Sequence, residues 1–184
     1  MKADFSPTYY KLIKAIDTFT EWTGTAVAWL IVPLTLAVFW EVFSRYVLNE
    51  PTLWVYDMSY MLYAALFMLG AHFALKRGAH IRTDMLWEKF SDRTKGLIDA
   101  VGYIVFFLPT MVVLFYISID DFFYSMSINE RSNTTSWQPV LWPLRGVIPI
   151  ACLLLFVQGI SELLKSLFAA RTGQFLVHQE KLEL

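Results

Sequence analysis

Three charged residues, Glu41, Arg45 and Asp57, lie close to the point where two long apolar stretches of the chain meet. A charge inside an apolar, membrane-like stretch is costly unless it is paired. Glu41 and Arg45 are four residues apart, so they share one face of a helix. Arg45 and Asp57 flank Pro51 at equal distances, and a hairpin turning at Pro51 brings them to a similar depth. We predict an Arg45–Asp57 ion pair near the outer interface, with Glu41 as second partner.

A fourth residue of this kind is Arg145, near one end of the last apolar stretch, where we expect it to join Glu41, or Asp120 and Asp121. We interpret the four residues as a charge lock, meaning a set of ion pairs that holds neighbouring helices together. Its members are Glu41, Arg45, Asp57 and Arg145. Contact with a partner subunit and a proton or ion relay stay open as alternatives. The relay is disfavoured because no acidic residue lies near the middle of an apolar stretch.

Other residue types that carry chemistry are isolated in this sequence. His72 is the only histidine inside an apolar stretch and His80 lies in a basic loop, so the chain does not supply two axial haem ligands. The single Cys152 excludes an intramolecular disulfide and any Cys-x-x-Cys motif. The sequence contains no Ser-His-Asp arrangement, glycine-rich phosphate motif or metal-ligand cluster. We therefore predict that the chain is not an enzyme and binds no cofactor or metal.

The elements that position these residues follow from composition. Hydrophobic residues make up 57% of the 184 residues and charged residues 17%, which is too apolar for a soluble domain of this size. Lys and Arg total 15 against 16 Asp and Glu, so nucleic acid is not expected as a partner. Stretches of about 20 apolar residues predict membrane-spanning helices. We predict an all-α integral membrane protein, a single domain over residues 1–184 with four spans at about 22–46, 53–75, 97–119 and 140–168.

The segments outside the spans carry weaker signals. Residues 6–21 show helical apolar spacing typical of a short amphipathic helix in the membrane interface, although an extension of the first span is an equal alternative. Apolar residues at 84–91 suggest a similar membrane contact, followed by a cap at Ser91 or Asp92. Proline removes a helical hydrogen bond, so kinks are expected near Pro33 and Pro109.

Basic residues predict the direction of the spans. The N-terminal segment, the second loop and the C-terminal tail carry almost all Lys and Arg outside the spans. The first loop carries none and the third loop only Arg131. Under the positive-inside rule both termini and the second loop are cytoplasmic, and the first and third loops face outward.

Two stretches, residues 45–57 and 69–84, resemble the small membrane subunit (DctQ-type) of the tripartite ATP-independent periplasmic (TRAP) transporters. The first closes the hairpin with Arg45-Tyr46 before it and Trp54-x-x-Asp57 after it, where the family usually has Glu. The second has a Gly-Ala pair followed by the family-motif loop with Arg77, His80 and Asp84. A third stretch, residues 129–145, is similar to the mannitol/chloroaromatic branch of that family.

The resemblance implies a role in sodium-coupled import of organic acids across the bacterial inner (cytoplasmic) membrane. Its partners would be the lipid bilayer, a large membrane subunit with the sodium and substrate sites, and a periplasmic substrate-binding protein. This chain would act as a fixed scaffold and help to dock the binding protein. The candidate docking residues in the outward loops are Glu50, Glu130, Arg131 and Trp137.

Two other classes of protein remain as alternatives. A haem- or quinone-bearing membrane anchor of an oxidoreductase is disfavoured by the lone intramembrane His72. A small drug exporter also uses four helices and an acidic residue on the first one. In this chain Glu41 lies towards the outer end of the span beside Arg45, which is unlike such an exporter.

Overall fold

The structure, a computed structural model, describes residues 7–78 and 90–174. Over these residues the chain is helical, with one isolated antiparallel bridge between Arg131 and Val140 as its only β pairing. The helices are α1 (Pro7–Ala28), α2 (Ile31–Tyr46), α3 (Val55–Lys76), α4 (Asp92–Gly102), a π-helical turn (Tyr103–Phe107), α5 (Leu108–Ser127) and α6 (Trp142–Thr172).

Four helical segments in the described part of the chain are long and apolar enough to cross a membrane, which confirms the four predicted spans. A helix is the form that lets an apolar segment satisfy its own backbone hydrogen bonds where no water is present. The segments extend beyond the predicted bounds at most of their ends because polar residues continue the helices past the apolar windows. They are Pro7–Tyr46, Val55–Lys76, Asp92–Ser127 and Trp142–Thr172.

A break between α1 and α2 lies in the first of these segments. The ring nitrogen of Pro33 cannot donate to the Trp29 carbonyl, and the Val32 N–H donates to it instead at 3.1 Å. The predicted disruption near Pro33 is thus present, as a turn at residues 29–30. Because α1 continues past residue 21 to Ala28, no separate interfacial helix is delimited, and the amphipathic helix at residues 6–21 stays a prediction.

The π-helical turn Tyr103–Phe107 directly precedes Pro109. Pro109 cannot donate to the carbonyl one helical turn before it, and the Leu108 N–H reaches back to the Tyr103 carbonyl in the wider π pattern. This is the irregularity that the sequence predicts at Pro109. A single extra residue in one turn shifts the faces of α4 and α5 relative to each other along the same span.

Helix ends follow local chemistry. Ser91 precedes α4, and its hydroxyl accepts a hydrogen bond from the Thr94 N–H at 3.3 Å, so the predicted cap is confirmed at Ser91. Asn129 follows α5 with φ of +47° and Gly173 follows α6 with φ of +71°, the left-handed conformation that commonly ends a helix. Of the membrane contact predicted at residues 84–91, residues 84–89 lie outside the described part of the chain.

The contacts divide the chain into two compact units. The first unit consists of the described parts of Met1–Trp22, His72–Val113 and Leu153–Leu184. The second unit consists of Thr23–Ala71 and Leu114–Cys152. Each candidate span contributes residues to both units. The predicted single membrane domain over residues 1–184 stays a prediction.

The last span, in α6, is the most buried of the four. In the most apolar 18 residues of this span 39% are buried, whereas the corresponding share is at most 11% in each of the other spans. In the first unit α4 approaches α6 closely at Gly96, where an added Cβ would lie 2.5 Å from the Ala170 nitrogen and 2.7 Å from the Ser166 oxygen. Glycine allows these two backbones to meet, as small residues do between membrane helices.

Candidate functional site

Glu41 in the second unit connects the end of α2 to the first loop. One of its carboxylate oxygens accepts from the Arg45 Nε at 2.9 Å, one helical turn away. The other oxygen accepts from the Thr52 N–H at 3.0 Å and from the Thr52 hydroxyl. Glu41 therefore anchors the loop that follows α2, and the predicted proximity of Glu41 and Arg45 is present.

Asp57 begins α3 and is almost fully buried, with 3% of its surface exposed. Its carboxylate accepts from the Ser132 hydroxyl at 2.9 Å and from the Thr135 hydroxyl. No lysine or arginine in the described residues pairs with it, so the predicted Arg45–Asp57 pair is not formed. Equal distance from Pro51 gives the two residues similar depth but does not fix the direction in which each side chain points, and Arg45 lies on an exposed face.

Arg145 bridges two carboxylates in the second unit. Its guanidinium donates to Asp121 at 2.8 Å and to Glu130 at 2.9 Å. Of the partners predicted for Arg145, Asp121 is present, whereas Glu41 is occupied by Arg45 and Thr52. The Ser125 hydroxyl and the Arg145 guanidinium lower the pKa of Glu130 below its ordinary value, because both favour the charged carboxylate. Glu130 is thus an ionised partner of Arg145 at neutral pH, in addition to being a candidate docking residue.

The third loop, residues 130–141, is held closed by its own hydrogen bonds. The Leu141 N–H donates to the Glu130 carbonyl at 2.8 Å, and the Ser132 N–H donates to the Pro139 carbonyl at 2.9 Å. The Asp57 carboxylate accepts hydrogen bonds from the Ser132 and Thr135 hydroxyls of this loop. The candidate docking residues Arg131 and Trp137 are exposed on this loop, and Glu50 is exposed on the first loop. The loop thus presents a fixed surface.

A polar network in the first unit is absent from the sequence-based predictions. The Lys165 Nζ lies 2.8 Å from an Asp17 carboxylate oxygen and 2.8 Å from a Glu162 carboxylate oxygen. Glu162 is only 4% exposed. Its partner Lys165 lies three residues away on α6. The Asp17 carboxylate of α1 binds side chains of α6.

Uncharged groups complete this network. The Gln158 amide donates to Glu162 at 2.9 Å and to Asp17 at 3.3 Å, and its carbonyl oxygen accepts from the Thr20 hydroxyl at 2.7 Å. The Ser161 hydroxyl donates to Asp17 at 2.8 Å. We call the six residues the α1–α6 network. The signal for it is a polar stripe on α6 at residues 158, 161, 162 and 165, which is one helical face within an apolar span.

A second connection in the first unit joins α1 to the end of α3. Glu21 forms ion pairs with Lys76 and, at 2.8 Å, with Arg77. The Lys76 ammonium also donates to the Asp17 carbonyl at 2.9 Å. Arg77 of the family-motif loop therefore pairs within the chain, whereas His80 and Asp84 of that loop lie outside the described residues.

The arrangement is one of structural support. Within residues 7–78 and 90–174 no group of three or more His, Cys, Asp and Glu side chains is placed to hold a metal ion. The buried polar side chains of the α1–α6 network bind one another across helices. Connected polar groups of this kind hold helices in one arrangement, since separating them leaves unpaired charges in apolar surroundings.

Comparison with known proteins agrees with the resemblance carried by residues 45–57 and 69–84. A sequence model of the DctQ component of tripartite ATP-independent periplasmic transporters matches residues 34–169. The chain is also similar to the sialic acid TRAP transporter small permease protein SiaQ of Vibrio cholerae serotype O1. The two are 23% identical over 158 residues, which cover 84% of this chain and 88% of the relative. No solved structure matches the chain.

The matches support the family as a whole and not the mannitol/chloroaromatic branch. The family model makes no distinction between branches, and the relative is named for sialic acid. The family and the named relative are components of transporters and not enzymes.

Proposed function

The chain belongs to the DctQ component family of the tripartite ATP-independent periplasmic transporters, and we propose that it is the fixed scaffold beside a large permease subunit. It is a small permease component with four membrane-spanning helices. In this proposal the large subunit carries the sodium and substrate sites and makes the transport movement. The small subunit holds the large one in the membrane and helps to receive a periplasmic binding protein.

The observation that supports a scaffold is the α1–α6 network. Lys165 forms ion pairs with both Asp17 and Glu162, while Gln158 donates to Glu162 and Ser161 donates to Asp17. A substrate or ion path needs polar groups that exchange partners, whereas these groups are bound to neighbours on two helices. A network of this kind resists helix movement, as required of the part of a transporter that stays still.

The docking role is supported by the closed third loop. Its exposed Arg131 and Trp137 stand on a backbone already fixed by hydrogen bonds, so little conformational entropy is lost when a partner binds. The loop faces the periplasm if both termini are cytoplasmic, as the distribution of Lys and Arg predicts. The inner membrane is then the location of the complex.

The transported class is proposed to be an organic acid taken up with sodium. The named relative is a subunit of a sialic acid transporter, which is consistent with an acidic substrate. The resemblance of residues 129–145 to the mannitol/chloroaromatic branch stays a narrower prediction.

Reconstitution tests the proposal directly. Proteoliposomes would contain the large subunit of the same transporter, with or without this chain, and would receive the matching binding protein and a labelled organic acid under an inward sodium gradient. We expect uptake only when both membrane subunits are present. Uptake at the full rate by the large subunit without this chain would contradict the scaffold role, and uptake that ignores the sodium gradient would contradict the coupling.

A further inference from the structure

A groove in the second unit runs along α3 from Tyr56, near the third loop, to Met68. Its volume is about 470 Å³. One wall is a stripe at four-residue spacing on α3, and the other is formed by apolar side chains of α6. The stripe consists of Tyr56, Tyr60, Ala64 and Met68, and the opposite wall includes Leu144, Val147 and Ile148.

The end of the groove at the third loop is polar. A second cavity of about 460 Å³ lies there and shares Tyr56, Asn133 and Thr134 with the groove. Its lining is rich in hydroxyl and amide groups, from Thr52, Thr135, Ser136 and Gln138. The two cavities adjoin at these shared residues, with a mostly apolar lining along the groove and a mostly polar lining in the second cavity.

The length and the lining of the groove fit a lipid. From Tyr56 to Met68 the stripe covers about 18 Å at 1.5 Å per residue, close to the half-thickness of about 15 Å of a bilayer's hydrocarbon core. Apolar side chains line most of this length, and polar side chains line the end at the third loop. An acyl chain that ends in a polar head group has the same order of apolar and polar parts.

The geometry points to a bound phospholipid, with one acyl chain in the groove along α3 and its head group in the polar cavity at the third loop. The lipid would belong to the leaflet on the side of that loop, which is the outer leaflet under the topology proposed above. Apart from naming the leaflet, this inference does not depend on the transport function.

The charges at the polar end favour a neutral head group. Among the described residues that line either cavity, Arg145 is the only charged one. It is already bound by Asp121 and Glu130, so it brings no uncompensated positive charge to an anionic lipid. A zwitterionic head can instead place its phosphate against hydroxyl and amide donors such as Thr134 and Asn133.

Photo-crosslinking in nanodiscs tests this site. The complex of both membrane subunits would be reconstituted with a trace of phosphatidylcholine that carries a diazirine in one acyl chain, and adducts would be mapped by mass spectrometry. We expect Ala64, Val147 and Ile148 to be labelled more than Leu36 and Phe39 of α2, although these are 61% and 66% exposed. A resident lipid labels its site more than exchanging bulk lipid labels an open surface. Replacing bulk phosphatidylglycerol by phosphatidylethanolamine should lower groove labelling by competition.

Matched variants test whether the labelling depends on the groove. Ala64→Trp fills the groove and should abolish labelling of Val147 and Ile148, whereas Leu36→Trp adds a similar bulk on exposed α2 and should not. Asn133→Leu leaves the groove open and removes a donor from the polar end, so the preference for neutral lipid should weaken even if Ala64→Trp fails to fold.

Two results would overturn the proposal. Groove labelling no stronger than that of Leu36 and Phe39 would mean that only bulk lipid visits the groove. Labelling that appears in the chain purified alone and disappears in the complex would mean that the large subunit, not a lipid, covers it.

Discussion

The ammonium of Lys165 lies 2.8 Å from the carboxylate of Asp17, although the two residues are 148 positions apart in the chain. The pair joins α1 to α6. Glu162, which lies on α6 like Lys165, binds the same ammonium. A lysine between two carboxylates in apolar surroundings ties the two helices together, because removing it strands both charges. The first prediction concerns its removal.

Lys165→Met should strongly destabilise the chain. The change keeps the length of the side chain and leaves Asp17 and Glu162 without their cation, a situation that costs about 3–5 kcal/mol for a buried pair. Thermal unfolding in detergent would measure the loss. Lys11→Met, at an exposed position of α1, is the control and should unfold like the wild type. A melting temperature unchanged by Lys165→Met would show that the network is hydrated and contributes little.

Asp57→Ala should loosen the third loop more than Arg45→Ala does. Removing the buried carboxylate leaves the Ser132 and Thr135 hydroxyls without their acceptor, at a cost of about 1–3 kcal/mol. Arg45 is 54% exposed, and exposed ion pairs contribute little. Trypsin cleavage after Arg131 measures the opening of the loop. Cleavage that is as fast in Arg45→Ala as in Asp57→Ala, or faster, would contradict this order.

Gly96→Ala should destabilise the packing of α4 on α6, and Gly70→Ala should not. A Cβ on Gly96 would lie 2.5 Å from the Ala170 nitrogen, a backbone atom that cannot move alone, and such overpacking costs about 1–3 kcal/mol. A Cβ on Gly70 meets nothing within 4 Å. Both changes increase helix propensity equally, so the difference between their melting temperatures isolates the contact. Equal melting temperatures would mean that α4 does not pack on α6 in the membrane.

Cysteine labelling should establish the direction of the spans. In a Cys152→Ser background, Asn133→Cys should react with a membrane-impermeant thiol reagent in intact spheroplasts, and Gln174→Cys only after lysis. Both positions are exposed, so a difference in labelling reports sidedness rather than burial. Reaction of Gln174→Cys alone in intact cells would invert the topology and place the third loop in the cytoplasm.

Arg131→Glu combined with Trp137→Ala should weaken uptake at limiting binding protein, with the complex intact. Both side chains are exposed, and the Arg131 guanidinium also donates to the Gln138 carbonyl at 3.1 Å. Excess binding protein should restore the rate by mass action if docking is what is weakened, and should not if the loop itself is disrupted. Glu130→Lys is unsuitable for this test because it would place a second cation beside Arg145. Uptake unchanged at limiting binding protein would show that the loop only connects α5 and α6.

Local chemistry makes much of the fold readable from the sequence. The four spans follow from runs of apolar residues, the start of α4 from Ser91, and the irregularities in the first and third spans from Pro33 and Pro109. The short-range pair of Glu41 and Arg45 follows equally well, because one helical turn separates the two residues. In each case partners within a few residues decide the outcome.

The tertiary structure alone decided which helix faces meet. The sequence gives the depth of Asp57 in the hairpin but not the direction of its side chain, and Asp57 binds hydroxyls of a loop 75 residues later instead of Arg45. Likewise, a polar stripe on α6 does not identify Asp17 and Thr20 of α1 as its partners. Rotation of a helix about its axis is set by packing against other helices. The long-range contacts of Asp57 and Lys165 therefore exist only once the chain has folded.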